Sequence, residues 1–557
     1  MQKSIQQQLD LEYDRCTRVH CKDGVSDLNT WVTVCSQLIG FDNMSDAEKE
    51  IADTYFADTS ANLVEQTLDL ISCGHDPLGT IYCQIKSARD RRHRGQTLTP
   101  EAVVSAMFDW VDRAHQDVRR IVDPGAGTGR YILAGLKRMP QATGIAVETD
   151  PLLAFALRAN ARVLGVSDRL EIAVCDYREF ELCPVDGRTL FIGNPPYVRH
   201  HDISPQWKTW YSNRLKAMGH AASQLAGLHL YFFLKTALLA APGDVGCFIT
   251  AAEWLDVNYG RSLRELLLNE LGGRAIHLMS ANVPVFEDAM VSACITGFEC
   301  GHPSRSLRFN NVDSVNCPDR LFGGRDVPRE TARLATRWTA LMSEPSNATG
   351  DGFVELGSLF RISRGQVTGN NRVWVTSANE FDLPPRFMFP AITAATDITK
   401  TRGCRIDDLS QLRLVIDLPA DLNALPDHEQ QVIQRFLDWA RSLGADKGYI
   451  ASHRKPWWRV NLKSPPPVVM TYMGRRPPVF AVNGAGARLI NVAHGLYPLA
   501  PLKAEAIEKL VGWLNCNVSQ NLGRTYAGGL TKFEPSEAMK IKVPSFDMFD
   551  MDAVGLQ

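Results

Sequence analysis

The chain has 557 residues, 45% hydrophobic and 22% charged, with 60 lysines and arginines against 62 acidic residues and a formal net charge of −2. This composition excludes a disordered or fibrous chain, the length implies two or three domains, and the balanced charge singles out no partner. The thirteen cysteines are scattered without a Cys-x-x-Cys pair, the N-terminus MQKSIQQQLDLEYDR has no apolar segment, and no apolar run reaches about eighteen residues, so a disulfide framework, a zinc ribbon, a signal peptide and a membrane span are not expected.

Residues 1–80 read as a helical extension, because SIQQQLDLEYDR, LNTWVTVCSQLIG and SANLVEQTLDLISCG space their apolar residues three and four apart. No chemistry is visible there. The basic stretch KSARDRRHR and Gly95–Pro100 follow, then the periodic EAVVSAMFDWVDRA, whose helix is expected to start with Thr99 as N-cap and Pro100 at the first helical position. From IVDPGAG onward short apolar runs alternate with helical patterns through ATGIAVETD, LEIAVCDYREF and RTLFIGNPPY, ending in RAIHLMS and VSACITGFEC as the last strands. Such alternation predicts an α/β domain over 81–310 with a mostly parallel, doubly wound sheet. GHPSRSLRFNNVDSVNCPD and SEPSNATGDGFVE read as loops, placing a boundary between 300 and 350. A mixed α+β domain is expected over 350–545.

The glycine turn Val122-Asp-Pro-Gly-Ala-Gly-Thr-Gly-Arg130 leaves a strand and opens a helix, with Gly125, Gly127 and Gly129 permitting a sharp turn and close approach of a ligand. It differs from a dinucleotide fingerprint, since Asp123 and Pro124 precede it where an amino-bearing or cationic ligand suits better than a pyrophosphate. Glu148 ends the next strand, placed to accept from a ribose diol, and Asp176 ends the third, placed to accept from an adenine amine. Three acidic groups at successive strand ends fit an adenosyl ligand carrying a positive sulfonium; the bland reading makes them surface turn residues.

Asn194-Pro195-Pro196-Tyr197 follows the fourth strand, where open parallel sheets place ligands. Two prolines stiffen the turn. An aromatic amine is a poor nucleophile because its lone pair is delocalised, and two oxygens accepting its hydrogens, the Asn194 amide oxygen and the Pro195 carbonyl, localise that pair. Tyr197 supplies a flat face for an extruded base. Methyl transfer then needs only in-line alignment, with no nucleophilic cysteine and no metal.

These motifs together resemble the gamma-class adenine-N6 DNA methyltransferases of restriction-modification systems, from about residue 79 to 544. The resemblance implies S-adenosylmethionine as cofactor, with cofactor positions at Thr99, Pro100, Asp123, Pro124, Gly125, Ala126, Gly127, Glu148, Thr149, Asp176, Tyr177 and Asn194, and catalytic positions at Asn194, Pro195, Pro196 and Tyr197. Phe286 in VPVFEDAMVSACI is similar to the family's second aromatic, opposite Tyr197. Leu359-Phe-Arg-Ile-Ser-Arg-Gly-Gln-Val-Thr-Gly-Asn-Asn-Arg-Val-Trp374 resembles the opening of the family's target recognition domains, and TYAGGLTKFEPSEAMKIKVP the segment that closes them. A class I methyltransferase-like sheet is implied over 81–310 and a recognition domain over 350–545, in a cytoplasmic bacterial or archaeal protein. Related enzymes use similar tetrapeptides for cytosine N4, usually with serine first, which leaves base identity open.

Residues 451–544 hold 13 lysines and arginines against 4 acidic residues, with aromatics interleaved in RKPWWR and TYMGRR. That fits a surface for double-stranded DNA, and a modified duplex base must be swung out of the stack. A separately encoded restriction endonuclease is the further partner class left open, with no membrane partner and a monomer or weak dimer as the assembly. The alternatives are an RNA adenine or protein glutamine N-methyltransferase, or a catalytically inactive DNA-specificity subunit.

Overall fold

Strand positions after residue 117 alternate between two apolar layers, which is what a sheet covered by helices on both faces requires. In β4 (Arg188–Gly193), Leu190 and Ile192 face one layer and Phe191 the other; in β5 (Val245–Ala251), Val245, Cys247 and Ile249 oppose Phe248. The first layer is completed by helices Glu101–Ala114 and Arg130–Arg138, the second by helices Pro205–Ala217, Leu228–Leu239 and Arg261–Leu268. Each fully buried aliphatic or aromatic side chain in these layers contributes roughly 1.5–3 kcal/mol relative to exposure.

The computed structural model describes residues 25, 27–87, 90–91, 95–114, 117–279, 292–312, 321–342, 352–401, 404–519, 522–526 and 530–549. The chain divides into two compact units, Met1–Glu344 and Pro345–Gln557.

The first unit is built on a nine-stranded sheet. With β1 (Val118–Pro124), β2 (Thr143–Glu148), β3 (Leu170–Val174), β6 (Gly273–Met279), β7 (Ala293–Glu299), β8 (Ser306–Val312) and β9 (Arg325–Pro328), its order is β3-β2-β1-β4-β5-β7-β6-β8-β9. The pairings from β3 across to β5 are parallel, as is β6 with β8, whereas β7 runs antiparallel between β5 and β6 and β9 antiparallel to β8. The sheet is therefore mixed. Two details depart from the sequence reading. SLRFNNV, read as loop, is β8: Leu307 and Phe309 alternate into the core, a period-2 signal hidden among turn-forming neighbours. The helix EAVVSAMFDWVDRA starts at Glu101, one residue late for Thr99 to be its N-cap, and the Thr99 hydroxyl is engaged elsewhere.

The N-terminal helices pack on the helix Pro151–Val163. Asp27 caps the helix Leu28–Ile39 by accepting the Thr30 amide, and Gly40, at φ 79°, ends it. Its face of Trp31, Val34 and Leu38 meets Leu153, Phe155, Ala156 and Ala159. Trp31 is wholly buried, donates from Nε1 to the Leu78 carbonyl at 2.9 Å, and lies 5.5 Å from the Tyr82 ring.

The second unit is α+β. One four-stranded antiparallel sheet runs in the order Phe360–Arg364, Ala493–Pro498, Val468–Thr471, Phe480–Val482, with helix Ala504–Asn517 in its core. A second four-stranded sheet shares a core with helix Asp427–Ser442. Among the described residues, no helix is long and apolar enough to cross a membrane.

Trp31→Ala removes the largest side chain holding the N-terminal helices to the first unit. It is expected to cost about 3–5 kcal/mol, read as a lowered denaturation midpoint with an unchanged slope.

Candidate active site

The glycine turn and the Asn-Pro-Pro-Tyr segment meet at the ends of β1 and β4, which are adjacent in the sheet. Gly125, Gly127 and Gly129 have φ of 78°, 56° and 94°, a left-handed region costly for any residue with a Cβ. The turn is tied to β2, as the Gly125 and Ala126 amides donate to the Val147 carbonyl at 2.8 and 3.0 Å. A Cβ on Gly125 would stand 3.6 Å from Pro196 Cδ, so turn and tetrapeptide are neighbours.

Glu148 is buried at the end of β2, and its carboxylate accepts the Gly127 amide at 2.7 Å and the Asp150 amide at 2.9 Å. Burial raises its pKa, and these amides oppose the shift. Thr149 donates to the same carboxylate at 3.4 Å. Asp123 is completely buried. Its Oδ2 accepts the amide of Ile132, in the first turn of helix Arg130–Arg138, at 3.2 Å, while its Oδ1 has no partner among the described residues. A Cβ on Gly193 would come within 2.7 Å of that oxygen, so the residue before Asn194 must be glycine for Asp123 to sit there. Burial pushes the Asp123 carboxyl well above the usual carboxylate range.

Asn194 is held by its amide hydrogens. Nδ2 donates to the Thr97 carbonyl at 3.1 Å and to Thr99 Oγ1 at 3.2 Å, which fixes the rotation of the amide, since a carbonyl cannot face its oxygen. Oδ1 is buried with no partner among the described residues. The Tyr197 amide donates to the Gly95 carbonyl at 3.4 Å, and Gly95, at φ 67°, lies so close that a Cβ would stand 2.5 Å from Tyr197 N. The half-buried Tyr197 ring lies 6.3 Å from His229, whose buried imidazole is kept neutral by a pKa lowered to about 4.

The remaining expected positions are placed less directly. Pro100 is exposed at the foot of helix Glu101–Ala114, while Pro124 and Ala126 are buried in the turn. Asp176 lies two residues beyond β3, and both of its oxygens accept from Arg178, at 2.5–3.1 Å, whose guanidinium covers Trp207 at 4.0 Å. Tyr177 is a core residue, its hydroxyl 3.0 Å from Thr236 Oγ1 and its ring 5.1 Å from Phe232. Phe286 lies outside the described residues.

Asp76 is the site residue that the sequence reading missed. Its carboxylate accepts from Thr128 Oγ1 at 2.6 Å, Arg130 Nε at 2.8 Å, the Gly79 amide at 2.9 Å and Asn160 Nδ2 at 3.3 Å, binding the N-terminal helices to the glycine turn. Arg130 also donates to the Thr99 carbonyl at 2.8 Å. Asp76-Pro77 is legible as an N-cap followed by proline, but a cap signal carries no information about partners some fifty residues away. Asp150 acts similarly, accepting from Tyr82 and Gln96.

These residues fit S-adenosylmethionine: a left-handed glycine cradle that side chains would obstruct, a buried Glu148 beside it, and an orphaned buried oxygen on each of Asp123 and Asn194. Among the described residues there is no group of three or more side chains suited to hold a metal.

Residues 187–286 match the Eco57I restriction-modification methylase model, and residues 346–554 match the C-terminal domain of Type II methyltransferase M.Eco57I. Type II methyltransferase M.XamI of Xanthomonas campestris pv. amaranthicola is 49% identical over 453 residues, covering 81% of this chain and 85% of the relative. Type II methyltransferase M.AccI of Acinetobacter calcoaceticus is 22% identical over 484 residues, covering 82% and 87%. Among solved structures, the Type IIL restriction-modification enzyme MmeI in complex with DNA shares the fold at a TM-score of 0.57 and 12% identity, covering 92% of this chain and 79% of that one. The chain belongs to the Eco57I/M.XamI family of gamma-class adenine-N6 DNA methyltransferases.

Proposed function

We propose that the protein is a site-specific methyltransferase that modifies the N6 amine of an adenine swung out of duplex DNA, protecting host DNA within a restriction-modification system. The observation that carries this reading is the buried Oδ1 of Asn194, without a partner among the described residues, aimed by two hydrogen bonds on the opposite side of its amide and standing near the glycine turn. An acceptor desolvated in this way costs roughly 1–3 kcal/mol until a donor arrives, and an exocyclic amine is such a donor.

S-adenosylmethionine, when bound, supplies an electrophilic methyl group. Asp123, Gly125, Gly127 and Glu148 would hold it, with Thr99, Pro100, Thr149, Asp176 and Tyr177 around them in a class I methyltransferase-like, doubly wound domain over 81–310. Asn194 Oδ1 and the Pro195 carbonyl accept the two amine hydrogens and so direct the nitrogen lone pair away from the ring. Pro195 and Pro196 keep these acceptors from rotating, and Tyr197 stacks on the base. Phe286 is assigned the opposite face. Residues 350–545 act as the target recognition domain, and the cell compartment is the cytoplasm. The protein works as a monomer or weak dimer, with a separately encoded endonuclease as its restriction counterpart. Family membership favours this over the RNA adenine, protein glutamine and inactive-subunit readings.

Unmethylated genomic DNA incubated with the protein and a labelled methyl donor should acquire N6-methyladenine at one short motif on single-molecule sequencing; label entering only RNA or protein would overturn the reading. Asn194→Ala is expected to lower kcat roughly 10²–10³-fold, by analogy with the loss of one preorganised hydrogen bond. Gly95→Ala must move the Tyr197 backbone and adopt a left-handed conformation at about 1–2 kcal/mol. It should lose activity with a kcat defect that single-turnover kinetics would assign to the methyl-transfer step.

Asp123 provides a pH test. A carboxyl whose folded pKa is raised contributes stability that is full in acid and lost as pH rises through the raised value. Asp123→Asn, neutral throughout, should melt no lower than the parent and gain on it as pH rises above the ordinary carboxylate range. Equilibrium dialysis should show weaker S-adenosylmethionine binding; unchanged binding would remove Asp123 from the cofactor site.

A further inference from the structure

The segment Gln366–Arg372 lines a depression in the second unit that the proposed chemistry at Asn194 does not invoke. The depression has a volume of about 540 Å³ and is bounded by Gln366, Asn370, Asn371, Arg372 and Asn491, with Ile450 among its apolar members. It is a built feature. The Gln366 amide donates to the Leu489 carbonyl and the Asn491 amide to the Gln366 carbonyl at 2.9 Å, locking the two loops together. Gly369 turns at φ 89° with room for no more than a 3.3 Å approach to Ile450 Cβ. Arg454 donates to the carbonyls of Val367 and Thr368 from behind.

The chemistry left facing the depression is one-sided. Asn370 Oδ1 accepts the Arg372 amide and Asn371 Oδ1 accepts the Thr368 hydroxyl, while the NH₂ groups of both asparagines have no hydrogen bond among the described residues and are available as donors. The Arg372 guanidinium is exposed and has no hydrogen bond or ion pair among the described residues, and the side chains of Gln366 and Asn491 likewise have no hydrogen bond there. No carboxylate lines the walls. A concave site with one cation, an excess of donors and no acid suits a protruding anion, and in a domain that meets DNA that anion is a backbone phosphate.

We propose that this depression seats one DNA backbone phosphate, with Arg372 as its charge partner and the Asn370 and Asn371 amides as hydrogen-bond donors, so that it sets the position of the duplex without reading sequence. The proposal rests on residues 350–545 being the DNA recognition domain.

The test is duplex binding by the full chain as a function of salt, with the methylated motif mapped in parallel. Each phosphate neutralised contributes about 0.9 to the slope of log K against log salt. Arg372→Gln should lower the slope by about that amount and weaken binding several-fold at fixed salt on cognate and unrelated duplexes alike, with the methylated motif unchanged. Gln366→Glu, which is isosteric and puts a carboxylate in the depression, should weaken binding in the same uniform way. Slopes equal to the parent's in both variants would overturn the proposal, as would a motif relaxed at one base pair, which marks base reading instead. Failure of the unmodified protein to methylate DNA site-specifically would instead remove the functional reading beneath it.

Discussion

The site depends on the amide of Asn194 having both hydrogens spoken for. Because Thr97 and Thr99 accept them, the amide cannot rotate to satisfy its own oxygen, and that oxygen is buried with no donor among the described residues. The arrangement is costly in the ligand-free protein and is kept only because the backbone around it is over-determined. Gly95 presses on Tyr197, Gly193 leaves room for Asp123, and the two prolines remove torsional freedom between them. Catalysis by position, as proposed for Asn194, would need this rigidity.

A second set of interactions holds the cradle itself. Asp76 gathers Thr128, Arg130 and Asn160, and Asp150 gathers Tyr82 and Gln96 while passing its own amide to Glu148. The helices before residue 86 are thus connected through two carboxylates to the turn that would bind the cofactor. Their apolar packing on helix Pro151–Val163 supplies the stability, and the carboxylates supply the alignment.

Much of this was legible in the chain. The alternation of short apolar runs with helical periods announces the α/β sheet, and the structure brings the glycine turn, Glu148 and Asn-Pro-Pro-Tyr, picked out by residue type, to neighbouring strand ends. What escaped did so for physical reasons. β8 was masked by Asn310 and Asn311, turn formers by propensity that the sheet accepts because Leu307 and Phe309 anchor the strand. Thr99 resembles a helix cap because threonine before Pro-Glu usually is one, yet its hydroxyl serves Asn194, a partner 95 residues away. Asp176, expected to accept from an adenine amine of the adenosyl ligand, has both oxygens accepting from Arg178, two residues on, in this structure. Long-range partners of this kind leave no local period or spacing to read.

The Asp76 cluster also bears on how such a chain can be recombined. A cut near residue 80, where the sequence suggests a seam between extension and catalytic domain, would sever the hydrogen bonds that Asp76 accepts from Thr128 and Arg130 of the glycine turn and from Asn160, and expose the apolar face of the helix Pro151–Val163. The division between Glu344 and Pro345 falls between two units that each enclose their own cores. The N-terminal helices therefore stay with the catalytic machinery rather than forming a cassette of their own.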